Sequence, residues 1–127
     1  MSILDGLMGN ASELTPAQAH KEFATLLGDG ERIEKAYKLA RDHMLFTNRR
    51  LVFVDKPGRS GAKIEYFSVP YRSITHFSIE AGSAFDPDAD LRIWIIGAAE
   101  PIDRQFTRQL DVYEIQSLLA AYLDRSR

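Results

Sequence analysis

The amino-acid sequence predicts a mainly β fold of the α+β class, in which about seven short antiparallel strands are capped by a C-terminal α-helix. Between Leu45 and Tyr71, three apolar runs are separated by two turns, which is the pattern of a β-meander. A second alternating segment follows between Leu91 and Ile96. After it, apolar residues recur at helical spacing from Val112 to Leu123, which predicts the closing helix.

Length and composition favour one domain in a reducing compartment. The 127 residues, of which 45% are hydrophobic, suit a single closed core. The formal charge of −2 leaves no global excess of cations, so the long-range attraction expected of a nucleic-acid-binding protein is missing. The absence of cysteine excludes disulfides and thiolate chemistry. The first residues have no cationic segment before a long apolar run, so we expect a cytoplasmic protein.

The N-terminal segment is expected to be helical. Apolar residues recur at helical spacing between Ile3 and Met8, which predicts a short amphipathic turn that docks on its own domain, on another subunit or on a membrane. Thr15 and Gln18 enclose a proline in the pattern of a capping box, so a helix is expected from Pro16 to about Leu27. The segment Gly28-Asp29-Gly30 favours its end, because glycine tolerates the left-handed conformation.

The central part of the chain predicts four successive strands. From Glu31 the period changes to two, and Ile33, Tyr37 and Leu39 share one parity. Asn48 lies in the tight reversal between the second and third strands, where asparagine accepts a positive φ. Pro70 is expected to end the ladder. The four strands are expected at Glu31–Arg41, His43–Thr47, Arg49–Lys56 and Lys63–Val69.

Three further strands and a helix are expected in the rest of the chain. Phe77 and Ile79 face inward from the fifth strand, whereas the sixth presents Trp94 on the face opposite its core side. The final helix begins at Asp111, with Glu114 three residues later. The strands are expected at Ile74–Ile79, Leu91–Ile96 and Ile102–Thr107, and the helix buries a stripe of Val112, Ile115, Leu118, Leu119, Tyr122 and Leu123.

Three segments of the chain resemble the bacterial pleckstrin homology (PH) domain family, formerly labelled a domain of unknown function: LFTNRRLVFVDKPGRSGAKIEYFSVPYRSI, AGSAFDPDADLRIWIIG and PIDRQF. The resemblance covers about Glu31 to Leu123. It implies a PH-like barrel or sandwich over residues 31–127, and the helical segment predicted within residues 1–30 would precede this domain as an extension. It also implies no known catalysis, assembly into cyclic, pentameric homo-oligomeric rings, and interaction with other proteins on the surface of the ring.

The apolar residues on both faces of two strands predict a covered outer surface. In the third strand, Val52 and Val54 lie on the face opposite the residues that point to the core. In the sixth strand, Trp94 and Ile96 lie on the corresponding outer face. A neighbouring subunit would cover these four side chains, and a ring closes the contacts that would otherwise run on into a fibre. The alternative is that the helix Pro16–Leu27 and the N-terminal turn cover this area within one chain.

A group of cations around one hairpin and its following loop suggests a binding surface for a partner or an anion. The surface includes Tyr66 and Tyr71 at the end of the central strand, as aromatic contacts or as rim packing. Anionic lipid or phosphate groups are the alternative ligands, although the connection Ala40-Arg41-Asp42 is short and carries one cation, unlike the phosphoinositide-binding pattern. The same group of cations is also typical of an ordinary solvated turn that binds no ligand. The cations are Arg49, Arg50, Lys56, Arg59 and Lys63.

No other pattern predicts catalysis, a cofactor or a metal. Asp86, Asp88 and Asp90 have the spacing that begins a calcium loop, but glycine and glutamate are missing from the later positions that such a loop needs. The three histidines lie on different elements, and no serine lies in a nucleophile elbow. We therefore expect a non-catalytic interaction module, whose protein partner the sequence does not identify.

Overall fold

A computed structural model describes residues 13–39, 42–56, 63–82, 88–107 and 110–126, and within them eight strands and two α-helices. Short 3-10 turns lie at Ala24–Leu26 and Tyr71–Ser73. The strand that the sequence did not predict is the first, whose two residues are too few to show a period. The elements are β1 (Glu13–Leu14), α1 (Pro16–Phe23), β2 (Ile33–Lys38), β3 (Asp42–Thr47), β4 (Arg50–Asp55), β5 (Glu65–Pro70), β6 (Ile74–Glu80), β7 (Ala89–Ile95), β8 (Ile102–Phe106) and α2 (Val112–Arg125).

The first sheet contains β1 to β5 in chain order, and every neighbouring pair is antiparallel. Between Ile33 and Lys35 the register of β2 against β3 shifts, as in a β-bulge. Because of this shift, Ile33 packs with Ala36 on the outer face of the sheet, whereas Tyr37 packs in the central core. The prediction that Ile33 and Tyr37 share a face is therefore wrong.

The reversal between β3 and β4 is held by side chains. The hydroxyl oxygen of Thr47 accepts hydrogen bonds from the backbone N–H groups two and three residues later, at 3.0 and 2.9 Å. Asn48 accepts from the Arg32 N–H at 2.8 Å and donates to the Gly30 carbonyl at 3.1 Å. No non-glycine residue in the described ranges has a positive φ, so the left-handed Asn48 that we predicted is wrong. The asparagine instead ties the hairpin to the turn that precedes β2.

The second sheet contains β6, β7 and β8 and packs against the inner face of the first. Within the described ranges no strand pairing joins the two sheets, so they form an open sandwich, one of the two forms that the family resemblance implied. Phe77 and Ile79 pack against the core, as predicted. Its largest fully buried side chains include Tyr37, Phe46, Phe53, Leu91, Ile93, Phe106, Ile115 and Leu119.

Helix α1 begins with the predicted capping box. The Gln18 N–H donates to the Thr15 hydroxyl oxygen at 3.1 Å, and the Thr15 N–H donates to the Gln18 side chain at 2.8 Å. The α-helix ends at Phe23, four residues before the predicted end, and continues as a 3-10 turn. Gly30 has a φ of 73°, so the left-handed residue lies in the next turn and does not cap the helix.

Helix α1 lies on the outer face of the first sheet and covers it within the same chain. Ala19 and Phe23 pack on Leu45, Val52 and Val54 in a second apolar cluster. Both valines have a relative exposure of 0%. The prediction that Val52 and Val54 contact a neighbouring subunit is therefore wrong, because the helix that we named as the alternative already covers them.

Helix α2 covers the core at one end of the sandwich. The Asp111 carboxylate accepts from the N–H groups of Tyr113 and Glu114, both at 3.1 Å. The Glu114 side chain accepts from the Tyr37 hydroxyl and does not complete a capping box. The Tyr122 hydroxyl donates to Glu34, which gives a second link between the helix and β2. All six residues of the predicted stripe are buried or pack against the core.

The predicted amphipathic turn between Ile3 and Met8 lies outside the described residues. The described part of the chain begins at Glu13, where β1 joins the sandwich by pairing with β2 through Glu13 and Leu14. Neither α1 nor α2, nor any other described helix, combines the length and apolar character needed to cross a bilayer.

Candidate functional site

The outer face of the second sheet carries an aromatic stack. His76 and Trp94 are cross-strand partners on β6 and β7, and their rings lie 4.5 Å apart at 12°. Farther along the same face, Arg92 forms an ion pair with Asp103 across β7 and β8 at 3.6 Å. The first sheet is covered by α1 on its outer side, whereas this face presents exposed or half-buried side chains. It is therefore a surface that a partner can reach.

Two of the four predicted interface residues lie at one end of this face. Ile96 follows β7 directly and is 69% exposed, and Trp94 is half-buried against His76. The Ile96 N–H donates to the Ser73 carbonyl at 2.8 Å, which fixes the backbone at this position. Val52 and Val54 lie in the other sheet and are buried. The structure thus brings Trp94 and Ile96 together and separates them from the valines.

Arg50, the central cation of the predicted hairpin cluster, is part of a network inside the chain. Its Nε donates to Glu31 Oε2 at 2.8 Å and its Nη2 to Oε1 at 2.9 Å. Further hydrogen bonds reach the Leu26 carbonyl and the Ser68 hydroxyl. The Glu31 side chain is only 3% exposed, and the hydrogen bond from Arg50 lowers its pKa to about 2 against the opposing effect of burial. Arg50 therefore stabilises the fold and has no free charge for a ligand.

The other members of the cluster do not converge either. Lys56 pairs with Glu22 of α1 and lies over the Phe23 ring at 5.2 Å from its centroid. Tyr71 is buried, and its hydroxyl donates to the Thr47 carbonyl at 2.7 Å. Burial raises the pKa of Tyr71. Lys63 and Tyr66 are exposed, and Arg59 lies outside the described residues. A single binding surface made of all seven predicted residues is therefore not formed.

The Arg49 side chain packs on the turn before β2 and shares a cavity with an arginine that the sequence did not single out. It lines a cavity of about 300 Å³ together with Arg72, Tyr71, Pro70 and Ser126. The pairing of Arg50 with Pro70 across β4 and β5 places the hairpin beside the turn after β5. The β-meander pattern could have predicted this proximity, because antiparallel pairing places the start of the third predicted strand beside the end of the fourth.

The histidines and the described aspartates of the calcium-like spacing lie apart from one another in the fold. In the described ranges no three histidine or acidic side chains are placed to hold a metal ion, and Asp86 of the calcium-like spacing lies outside those ranges. His20 accepts from the Ile33 N–H at 3.3 Å, and His43 packs on the Phe23 ring at 5.2 Å between centroids. With His76 stacked on Trp94, the histidines have three separate surroundings.

Comparison with known proteins places this geometry in a family. Residues 2–123 match the family described as bacterial PH domain. The uncharacterised protein YjqA of Bacillus subtilis (strain 168) is 48% identical over 122 residues, which are 95% of this chain and 98% of that protein. The match begins before β1, so it includes α1 as well as the sandwich.

Solved structures agree with the fold. A PH domain from Shewanella amazonensis SB2B is 43% identical, covers 96% of this chain and 98% of its own, and superposes with a TM-score of 0.78. A DUF1696 family protein with a PH domain from Shewanella loihica PV-4 is 39% identical, covers 90% of this chain and 97% of its own, and has the same TM-score.

Proposed function

Because the chain belongs to the bacterial PH-domain family, we propose that it is a non-catalytic interaction module that assembles with copies of itself into a closed ring. The ring would present the unidentified protein partner with a repeated surface. Absence of cysteine suits such a module in the cytoplasm. The hairpin cations do not act together as an anion site, because Arg50 and Lys56 are paired with Glu31 and Glu22.

The observation that supports assembly is the position of Ile96 beside Trp94 on the open face of the second sheet. An isoleucine that is 69% exposed gains up to about 2 kcal/mol when it is fully buried, and a half-buried tryptophan adds to this. Aromatic side chains on a rigid strand are frequent anchors of protein contacts. A second copy of this chain is the occupant that the family resemblance favours.

The shape of the contact follows from the asymmetry of the sandwich. The first sheet carries α1 on its outer side, whereas no helix among the described residues lies on the outer side of the second sheet. If the open face packs against a different part of the next subunit, the contact is head-to-tail, and such contacts either close into a ring or extend into a fibre. We propose closure, with the pentameric ring that the family resemblance implies.

The experiment measures the mass of the assembly in solution. Light scattering on a sizing column and native mass spectrometry should show one discrete oligomer, and Trp94→Glu and Ile96→Glu should each convert it to monomers with an unchanged circular dichroism spectrum. Tyr113→Glu is the matched control, since Tyr113 is also an exposed aromatic but lies on α2. A wild-type chain that stays monomeric at high concentration would exclude the ring. An oligomer that tolerates both glutamates would exclude this face as its contact.

A further inference from the structure

The cavity between the β3–β4 reversal and the turn after β5 has the features of an anion site. We propose that it binds a phosphate group between Arg49 and Arg72, two exposed residues that both line its wall. The proposal is independent of ring assembly, because it uses neither Trp94 nor Ile96.

The positive charge of both arginines is uncompensated within the described residues. Neither guanidinium forms an ion pair or a hydrogen bond there, whereas the neighbouring Arg50 is engaged with Glu31. Glu31 lies on the turn that Arg49 packs against, and its carboxylate already accepts from four groups of other residues. Two exposed cations thus line one cavity without a counter-charge from any described residue, and an anion bound there would be attracted by both.

The other side-chain donors in the wall are already used. The Tyr71 hydroxyl donates to the Thr47 carbonyl at 2.7 Å, and the Ser126 hydroxyl donates to the Leu123 carbonyl at 2.9 Å. The guanidinium groups are therefore the side-chain donors left for a ligand, and they favour planar pairs of acceptor oxygens. A phosphate monoester carries close to two negative charges at neutral pH and matches two arginines, whereas a carboxylate would neutralise one.

Neighbouring elements support the site in position and size. Arg49 packs so closely on the turn before β2 that a Cβ atom at Gly30 would lie 3.0 Å from its Nη2. At the end of α2, Ser126 donates its N–H to the Tyr122 carbonyl at 3.2 Å, which reduces the negative charge that the helix end would present to an anion. The volume of about 300 Å³ is at the lower end of small-molecule sites and suits one phosphate group with a small substituent.

The test titrates the full-length protein with inorganic phosphate and with glycerol 3-phosphate, followed by backbone amide chemical shifts and by calorimetry. We expect saturable binding with shifts concentrated at residues 49 and 70–73, and a loss of affinity of about tenfold in each of Arg49→Gln and Arg72→Gln. Lys63→Gln is the matched control, because it removes one exposed cation of the same chain outside the cavity and should leave the affinity unchanged. Thermal melts confirm that each variant is folded.

A second experiment, with lipid vesicles, distinguishes the phosphate of a lipid headgroup from that of a soluble ligand. Flotation with phosphatidylcholine vesicles that contain phosphatidic acid, compared with phosphatidylcholine alone, detects recognition of a lipid headgroup, and the soluble esters detect a free ligand. Either kind of binding supports the site if the Arg49→Gln/Arg72→Gln variant abolishes it. No saturable binding of any of these phosphates up to about 10 mM would overturn the proposal. So would binding that the double variant retains or that Lys63→Gln removes.

Discussion

Arg50 holds the Glu31 carboxylate by two parallel hydrogen bonds, from Nε at 2.8 Å and from Nη2 at 2.9 Å. The same carboxylate accepts from the Gly28 N–H at 3.0 Å and from the Thr47 hydroxyl at 2.7 Å. Because these donors come from the turn before β2, the end of β3 and the start of β4, the network joins three separate parts of the chain. A bidentate pair of this kind, with its remaining oxygen positions occupied, satisfies the conditions under which a buried charge stabilises a fold.

The Glu31 network predicts a loss of stability in acid. The folded-state pKa of about 2 lies below the ordinary value of 4.5, so the unfolded chain takes up the proton first as the pH falls. The contribution is therefore complete above about pH 4.5 and disappears as the pH approaches 2, and it amounts to about 3 kcal/mol. Urea unfolding at a series of pH values measures it as the free energy of unfolding.

The Glu31→Gln variant isolates this contribution from those of other acids. Hydrogen bonds also lower the pKa of Glu22, from Lys56, and of Glu34, from Tyr122, so the wild-type slope contains more than one carboxylate. Glutamine has no charge to lose, and the stability of the variant should change less between pH 4.5 and 2. Parallel pH profiles for the two proteins would show that Glu31 does not carry the effect.

Phe23 should carry much of the attachment of α1 to the sheet. Its side chain is 3% exposed, packs in the outer apolar cluster and contacts His43 and Lys56. Phe23→Ala leaves a cavity under the helix and should reduce the free energy of unfolding by about 3 kcal/mol. Lys21→Ala on the exposed side of the same helix is the control and should cost less than about 0.5 kcal/mol. Equal effects of the two changes would mean that α1 does not depend on this contact.

Val52 provides a test that separates a covered strand from a subunit contact. Under α1 the side chain has a relative exposure of 0%, so Val52→Asp would bury a carboxylate without a partner. We expect the variant to unfold or to accumulate as insoluble protein, as judged by expression, circular dichroism and thermal melts. If the Val52→Asp protein is folded and stable and has only lost its oligomeric state, Val52 lies in a subunit contact and not under α1.

The sequence predicted the strands and the final helix because their signals are local. The alternation in β4 and β7 and the apolar spacing in α2 depend on neighbouring residues, and both predicted N-caps, Thr15 and Asp111, are confirmed. The bulge at Ile33 was not predictable in this way, because one shifted residue reverses a face without changing the composition. Likewise, apolar residues on both faces of β4 indicate a cover, but not whether a helix or a subunit provides it.

The candidate site was harder to predict, because the surface that each charged side chain reaches depends on pairing between strands that are distant in sequence. Arg49 and Arg50 are adjacent in sequence, yet one lines an open cavity and the other is bound to a carboxylate nineteen residues earlier. Strand residues alternate in direction, so a run of cations rarely points to one surface. Arg72 joins Arg49 only once β4 and β5 are paired.

The link between α2 and β2 predicts a measurable coupling between Tyr122 and Glu34. The Tyr122 hydroxyl donates to Glu34, and burial together with this bond raises the pKa of Tyr122 to about 12. Tyr122→Phe keeps the stacking on Tyr71, whose ring centroid lies 4.8 Å away, and removes only the hydroxyl. A double-mutant cycle with Glu34→Gln should give a coupling of about 1 kcal/mol in urea unfolding. Additive effects of the two changes would show that the bond contributes nothing.

The buried pair of Asp42 and Arg104 should be asymmetric, so that losing the arginine costs more than losing the acid. Arg104 Nε lies 2.6 Å from the Asp42 carboxylate, whose side chain is 7% exposed, and Asp55 is its cross-strand partner. Burial raises the pKa of Asp42 against the effect of Arg104, which means that the charged carboxylate depends on its partner. Arg104→Gln leaves that charge buried beside a second acid, and we expect a loss of about 3 kcal/mol at pH 7.

Asp42→Asn should be tolerated better. Its amide has no charge to bury, and Arg104 keeps a hydrogen bond to the Asp103 carbonyl at 2.8 Å and its position over the Phe53 ring at 4.7 Å. We expect a loss of about 1 kcal/mol in the same unfolding assay. Because the pKa of Asp42 is raised in the folded state, Arg104→Gln should also recover stability as the pH falls and Asp42 becomes protonated, whereas Asp42→Asn should not. If the two variants lose equal stability at pH 7 and show the same pH dependence, the carboxylate is not held by Arg104.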